Sequence, residues 1–185
     1  MPSRNDTSKG LSVSANAIPD ELILREYRLT VRNLLLTADR GIVANSSPRH
    51  ATIILEEMIK ASTHSFIASA ERMSGKVWTD EVLRLLCEAR RRGVIVRLLV
   101  EEECAPLVEG RLPRDLAECI RKVAKEHMTD DFLNLAVSDG TAYRLEMDKA
   151  TKKAAFCANG GENAVAMSEW FNNEFVSGER IVAAA

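Results

Sequence analysis

Apolar residues recur along this chain with two different periods, and each period predicts a different kind of element. Where they recur every three or four residues, the pattern is typical of a helix that buries one face. Five helices are predicted on this basis. They begin near Pro19, Ser47, Thr79, Pro113 and Ala164 and extend to about Ala38, Ile59, Arg92, Ala124 and Phe175 respectively.

Shorter apolar runs bounded by charged or turn-forming residues predict strands. The clearest is the β-branched run 94–100, and a second run covers 64–69. With a helix between them, these two strands predict a parallel βαβ unit. A strand over 132–138 leads into Asp139-Gly140, a favoured two-residue turn, and a returning strand near 142–146 completes a hairpin. A small strand is predicted over 154–158.

Composition narrows the class of protein. The 185 residues are 46% apolar and 28% charged, which suffices for one well-buried core. The formal net charge of -2 provides no overall attraction to nucleic acid or to an anionic membrane. Residues 1–17 are polar and are expected to be disordered, with no secretory signal. Because no apolar run approaches about 20 residues, we expect a cytoplasmic protein without a membrane partner.

The cysteines and histidines give no indication of a metal or other cofactor. Four cysteines occur without a C-x-x-C pair, so we expect reduced thiols in the core. The histidines, His50, His64 and His127, are each expected to have a structural or surface role.

The segment from Phe132 to Gly140 carries the most specific pattern in the sequence. It resembles the signature of the phospholipase D superfamily, His-x-Lys-x4-Asp followed by Gly, aligned on Asp139 and Gly140. Phe132 then occupies the histidine position and Asn134 the lysine position. Asp139 itself is expected to bond its own backbone and to permit the chain reversal.

The resemblance extends over residues 47–178 and follows the family order of elements. The segment 158–163 stands where the family has a Gly-Ser-x-Asn-like element, and Asn172 and Glu174 match a later Asn-x-Glu pair. The resemblance implies an α/β half-domain, a mixed β-sheet flanked by helices. The predicted organisation is a disordered segment 1–17, an N-terminal helix region 18–44 and a phospholipase D-like domain 45–185.

In this family, two motifs meet at an interface, a histidine attacks phosphorus and a lysine neutralises the phosphate. A phenyl ring and a carboxamide can do neither, so the sequence predicts a catalytically inactive binding or regulatory module. A chain with one motif would pair with itself, and small single-motif members tend to be bacterial. The expected form is therefore a homodimer or a subunit of a bacterial assembly, with a further protein as a second kind of partner.

A binding groove is predicted where the first core strand ends, because open α/β sheets bind ligands at the carboxyl ends of their strands. Its candidate residues are Ser69, Glu71, Arg72, Lys149, Lys152, Lys153, Asn159, Asn163, Asn172 and Glu174. The loop 159–161 could present backbone N–H groups to an anion or be a plain glycine loop. Nucleic acid is weakly supported as a ligand, because the net charge is negative and aromatic residues do not interleave with the basic ones.

Two other functions compete with this prediction. One is a phosphodiesterase, a nuclease or a phospholipase, whose catalytic residues are displaced, with His64 or Ser69 as substitutes. The other is a purely structural interaction protein that uses the helix from Pro19 to Ala38 as its interface.

Overall fold

The computed structural model describes residues 20–104, 106, 109–123 and 132–180. The predicted disorder of residues 1–17, and His127, lie outside these ranges. Helices span Asp20–Thr37 (α1), Pro48–Ala61 (α2), Asp80–Arg91 (α3), Arg114–Ala117 (α4) and Glu162–Ser177 (α5). Strands span Ile42–Asn45 (β1), Ser65–Met73 (β2), Ile95–Cys104 (β3), Ile120–Lys122 (β4), Leu135–Ser138 (β5), Ala142–Asp148 (β6), Lys153–Cys157 (β7) and Glu179–Arg180 (β8).

The strands of the described part form one eight-stranded sheet in the order β1-β7-β6-β5-β2-β3-β4-β8. β2 and β3 are parallel, as the βαβ pattern predicts, β4 is also parallel to β3, and the other pairings are antiparallel. One apolar cluster packs α1, α2 and α3 on one face of the sheet, and a second packs α5 on the other. The predicted mixed sheet flanked by helices is confirmed.

Local sequence explains where the helices on the first face begin and end. The Ser47 hydroxyl accepts the backbone N–H of His50 at 3.1 Å, and Pro48 occupies the first helical position of α2. Thr79 caps α3 in the same way, through the N–H of Val82. Gly93 adopts a φ of +91° just after α3, a conformation that glycine enters without strain.

Charge pairs as well as apolar contacts hold α1 on α2. Glu57 of α2 is only 3% exposed, and its carboxylate accepts hydrogen bonds from Arg28 and Arg32 at 2.8 and 2.9 Å. Burial alone would raise the pKa of Glu57, but the arginine hydrogen bonds and Lys60 together lower it. Val31 of α1 is fully buried. The N-terminal helix is therefore an integral layer of the fold.

Several boundaries differ from the sequence-based predictions. Ile120 and Val123 are not helical: α4 ends at Ala117, and Ile120–Lys122 pairs with β3 and β8 as β4. Two apolar residues three positions apart can lie on one face of a helix or on opposite faces of a short strand that is buried on both sides. The spacing alone therefore does not distinguish a helix from a strand here. β1 and β8 were not predicted, and β1 joins the sheet before the predicted boundary at residue 45.

The motif strand is also shorter than predicted. Regular pairing starts at Leu135, so the residues at positions 132 and 134 precede β5 rather than lying within it. The ladder extends one bond further, since the N–H of Glu146 donates to the carbonyl of Asn134 at 2.9 Å. None of the described helices combines the length and apolar character required to cross a bilayer.

Candidate functional site

The carboxyl end of β5, which we call the turn end, is built around Asp139. Asp139 and Gly140 have φ values of +52° and +65°, and the N–H of Thr141 donates to the carbonyl of Ser138 at 3.0 Å. Both φ values are positive, as in the mirror-image turn that Asp-Gly predicts, but the register pairs Ser138 with Ala142, so three residues rather than the predicted two connect the strands.

The Asp139 carboxylate bonds across the sheet and not to its own backbone, which corrects the prediction. It accepts the backbone N–H groups of Thr63, His64 and Ser65 at 2.9, 2.8 and 2.8 Å, and the Thr63 hydroxyl at 3.0 Å. Burial alone would raise the pKa of Asp139, but these four hydrogen bonds together lower it. The carboxylate is thus held ionised as an anchor for the segment that enters β2.

The opposite end of β5, which we call the cavity end, holds the positions that align with the family histidine and lysine. The side-chain oxygen of Asn134 accepts the N–H of Glu71 at 2.6 Å, and its amide nitrogen donates to the Glu146 carboxylate at 3.3 Å. Phe132 is 3% exposed and packs edge to face against Trp170, with ring centroids 5.6 Å apart. Both side chains are engaged in structural contacts.

A cavity of about 710 Å³ opens beside Asn134, between the N-terminus of α2 and the sheet; we call it the α2–sheet cavity. Four of the predicted groove residues line it, namely Ser69, Glu71, Arg72 and Lys152. Lys153 starts β7 with an exposed side chain, and Lys149 lies in the turn between β6 and β7, and neither lines the cavity. The carboxyl end of β2 is therefore the most enclosed part of the predicted groove.

Arg144 is the residue of this cavity that sequence reasoning missed. Its side chain is 12% exposed, and the closest approach to the Glu146 carboxylate is 3.9 Å, longer than a hydrogen bond. Burial lowers the pKa of Arg144, while Glu146 opposes that shift. The alternation of β6 could have revealed it, because Arg144 follows buried Ala142 by two residues and so faces the same side of the sheet.

The remaining groove candidates lie elsewhere in the fold. Asn159 and Asn163 follow the far end of β7, at the turn end, where the Asn159 amide donates to the carbonyl of Ala38 at 3.2 Å. Asn172 and Glu174 lie on α5, on the other face of the sheet, and Asn172 accepts a hydrogen bond from Arg97 at 3.1 Å.

The glycine loop between β7 and α5 has a packing role. A Cβ added to Gly160 would stand 2.2 Å from the ring of Tyr143, so only glycine fits there. The Gly160 N–H donates to the carbonyl of Thr141 at 2.7 Å. These contacts favour the plain glycine loop over an anion site.

The substitutes considered for catalysis are not brought together. The Ser69 hydroxyl donates to the carbonyl of Leu133 at 2.6 Å. His64 precedes β2, five residues earlier and roughly 16 Å away along an extended strand. His50 stacks on the ring of Tyr27, with centroids 4.1 Å apart. Within the described ranges, no group of three or more His, Cys, Asp or Glu side chains is placed to hold a metal ion.

No family model matches this chain, and no curated protein matches it either. Solved structures do. TrmBL2, described as an archaeal chromatin protein with a novel mode of DNA binding, superposes with a TM-score of 0.60 at 15% identity over 87% of this chain and 64% of that chain. This chain thus spans less than two thirds of TrmBL2.

Two further solved structures also share the architecture. Nuc from Salmonella typhimurium, a phospholipase D family member, gives a TM-score of 0.52 at 15% identity over 75% of this chain and 96% of that chain. NucT from Helicobacter pylori gives 0.52 at 11% identity over 76% and 99%. The chain therefore has the phospholipase D-like fold that its sequence predicts. At these identities the likeness establishes the fold alone.

Proposed function

We propose that this chain is a non-catalytic phospholipase D-like module that binds another molecule, as a homodimer or as a subunit of a larger assembly in a bacterial cytosol. The single observation that carries the proposal is the structural use of Phe132 and Asn134. One ring is packed against Trp170, and one amide bridges β2 and β6.

Chemistry at phosphorus needs a nucleophile and a positive charge at these positions. A phenyl ring has no lone pair to donate to phosphorus, and a carboxamide carries no charge to neutralise the phosphate oxygens. Loss of the essential members of such a catalytic unit costs on the order of a million-fold in rate. The scaffold that would present a ligand is nevertheless intact at the cavity end.

A displaced active site has no geometric support among the described residues. Ser69 commits its hydroxyl to a backbone carbonyl, and His64 belongs to the opposite end of β2. Nucleic acid is one class of ligand to consider for this chain, because TrmBL2, which shares the fold, is described as DNA-binding. The slightly negative net charge of this chain counts against a broad electrostatic DNA surface.

The test is a phosphodiesterase assay on the purified chain with bis(p-nitrophenyl) phosphate, single-stranded DNA and phosphatidylcholine. We expect no turnover above buffer. Hydrolysis that disappears in Ser69→Ala or His64→Ala, and persists in the matched surface variant Ser177→Ala, would replace the proposal with the displaced-site enzyme.

A second candidate function, an interaction protein that uses α1, is favoured by apolar side chains on the outer surface of that helix. Leu22, Ile23 and Leu29 are about half exposed, and Leu36 is 78% exposed. Deleting α1 would remove Val31 from the core and leave Glu57 without its arginine partners, so point variants are the cleaner probe. Light scattering that shows dimers in the wild type and monomers in Leu29→Glu would place the interface on α1.

A further inference from the structure

Unsatisfied buried polar atoms are concentrated on one face of the sheet. Within the part of the chain that the structure describes, four buried side-chain atoms have no hydrogen-bond partner: Oη of Tyr27, Oδ1 and Nδ2 of Asn45, and Nε of Arg144. Native proteins satisfy most such groups, and an exception calls for an explanation such as a missing ligand or ion. Their distribution therefore points to a place where a polar molecule belongs.

The three residues are neighbours in the fold. The register pairs Asn45 with Ala154 and Ala154 with Glu146, so Asn45 shares a face of the sheet with Glu146 and with Arg144 two residues along β6. Tyr27 approaches the same face from α1. Burial raises the pKa of Tyr27 to about 12, and the charge of Arg144 opposes that shift, which places the two groups within electrostatic reach.

Arg144 connects this cluster to the α2–sheet cavity, which it lines. Among the residues that the structure describes, its charge partner is Glu146, and the Glu146 carboxylate also accepts from Asn134 and lies 3.4 Å from the Lys152 ammonium. One carboxylate is thus divided among three donors, so the buried guanidinium is left short of acceptors. Arginine presents its donors as a fixed fork that matches the oxygens of a phosphate or carboxylate.

The rest of the cavity wall favours a negatively charged molecule with an apolar body. Four basic side chains line it against two acidic ones: Arg72, Lys76, Arg144 and Lys152, with Glu71 and Glu146. Ser46 and Ser47 line the edge where the 14-residue helix α2 begins, and a helix N-terminus favours negative charge. Leu55 and Trp78 supply an apolar wall.

We propose that the α2–sheet cavity binds a small organic anion, with its phosphate or carboxylate group against Arg144 and its apolar body against Leu55 and Trp78. The proposal rests on the non-catalytic binding role proposed above and names the class of ligand. Asn45 immediately precedes the two serines at the cavity edge and lies on the same face of the sheet as Arg144, although it does not itself line the cavity.

The probes are phenyl phosphate, benzoate, inorganic phosphate and neutral phenol, added to the full chain. Trp78 reports from inside the cavity, and since the chain has two tryptophans, a Trp170→Phe background leaves it as the sole emitter. We expect saturable one-to-one binding of phenyl phosphate or benzoate, confirmed by titration calorimetry. Phenol is expected to bind at least tenfold more weakly, and comparison of the two anions with inorganic phosphate separates the charged group from the ring.

The decisive variant is Arg144→Met, for which we expect at least a tenfold loss of affinity for the anion. Arg84→Met is the matched control, because Arg84 is exposed on α3 and pairs with Glu81 and Glu88 away from the cavity. If Arg144→Met fails to give the wild-type circular dichroism spectrum, Arg144→Lys replaces it, with an expected loss of at least threefold. Unchanged affinity in the folded variants would overturn the proposal.

Failure of this inference is distinguishable from failure of the proposed function. Phosphorus NMR follows phenyl phosphate through the titration. Conversion to inorganic phosphate would overturn the non-catalytic role, whether or not Arg144 is the binding group. A dissociation constant of about 10 mM is the weakest that we would expect of a specific cavity. If none of the three anions binds at that concentration and the ester stays intact, only the assignment of the ligand is overturned.

Discussion

The two ends of the motif strand β5 differ in how completely their polar groups are satisfied. At the turn end, the Asp139 carboxylate accepts four hydrogen bonds. At the cavity end, Nε of Arg144 has no hydrogen-bond partner among the described residues, and neither do polar atoms of Tyr27 and Asn45 near it. Since both ends belong to one sheet, the contrast separates polar residues that stabilise the fold from the polar groups that we propose are associated with a ligand.

The comparison also changes how the degenerate motif is interpreted. Asp139 holds the entrance to β2 in place, a task that does not require catalysis. Asn134 has a comparable bridging role at the other end. What remains available for binding is the cavity beside the motif, lined by a residue that the motif does not contain.

The largest effect is expected from Asp139→Ala, which should lower the free energy of unfolding by about 2 to 4 kcal/mol, because it removes charge-assisted hydrogen bonds to three backbone N–H groups. It also places alanine at a φ of +52°. Urea denaturation at pH 7 measures the loss. Asp139→Asn is the matched control, because asparagine tolerates this conformation and keeps one acceptor. Its free energy of unfolding should fall by less than that of Asp139→Ala.

The pH dependence of that difference tests whether the charge is the cause. Because the folded pKa of Asp139 is lowered, its contribution to stability is full above the unfolded pKa of about 3.9 and is lost as the pH falls through the lower folded value. Wild type and Asp139→Asn should therefore converge in stability between pH 5 and pH 2. A difference in stability between the two proteins that stays constant over this range would show that the contribution of Asp139 does not depend on its ionisation.

An intermediate effect is expected from Asn134→Ala at the cavity end. The variant leaves the Glu71 N–H without its acceptor at 2.6 Å and frees part of the Glu146 carboxylate, so the free energy of unfolding should fall by about 1 to 2 kcal/mol. Thermal denaturation measures this change. A loss as large as that of Asp139→Ala would mean that the cavity end is as tightly built as the turn end.

The smallest effect is expected from Tyr27→Phe. The Tyr27 hydroxyl is buried without a partner, so its removal should leave the free energy of unfolding of the empty protein within about 0.5 kcal/mol of wild type, or slightly higher. Asn45→Leu should likewise leave the free energy of unfolding close to that of the wild type. A clear loss of stability in Tyr27→Phe would reveal a partner for the hydroxyl and weaken the contrast between the two ends.

Much of this architecture could be predicted from residues close together in the chain. The cap at Ser47-Pro48, the glycine after α3 and the Asp-Gly turn depend on backbone conformations that neighbouring residues determine, and the structure has all three. β1, β4 and β8 could not be predicted in the same way. They are short strands at or near the edges of the sheet, and their pairing partners lie far away in sequence. The local pattern of residues therefore does not predict them.

The candidate site likewise has features that follow from local sequence and features that depend on the tertiary structure. The sequence by itself determined that positions 132 and 134 hold a phenyl ring and a carboxamide, which can supply neither a nucleophile nor a positive charge, because residue chemistry does not depend on the fold. Only the tertiary structure decided which polar residues share a surface: it separated Asn159 and Asn163 from Arg72 and Lys152 by the length of the sheet, and it brought Arg144 to the N-terminus of α2. Such neighbours are set by strand order and register, which pack residues from distant parts of the chain against one another.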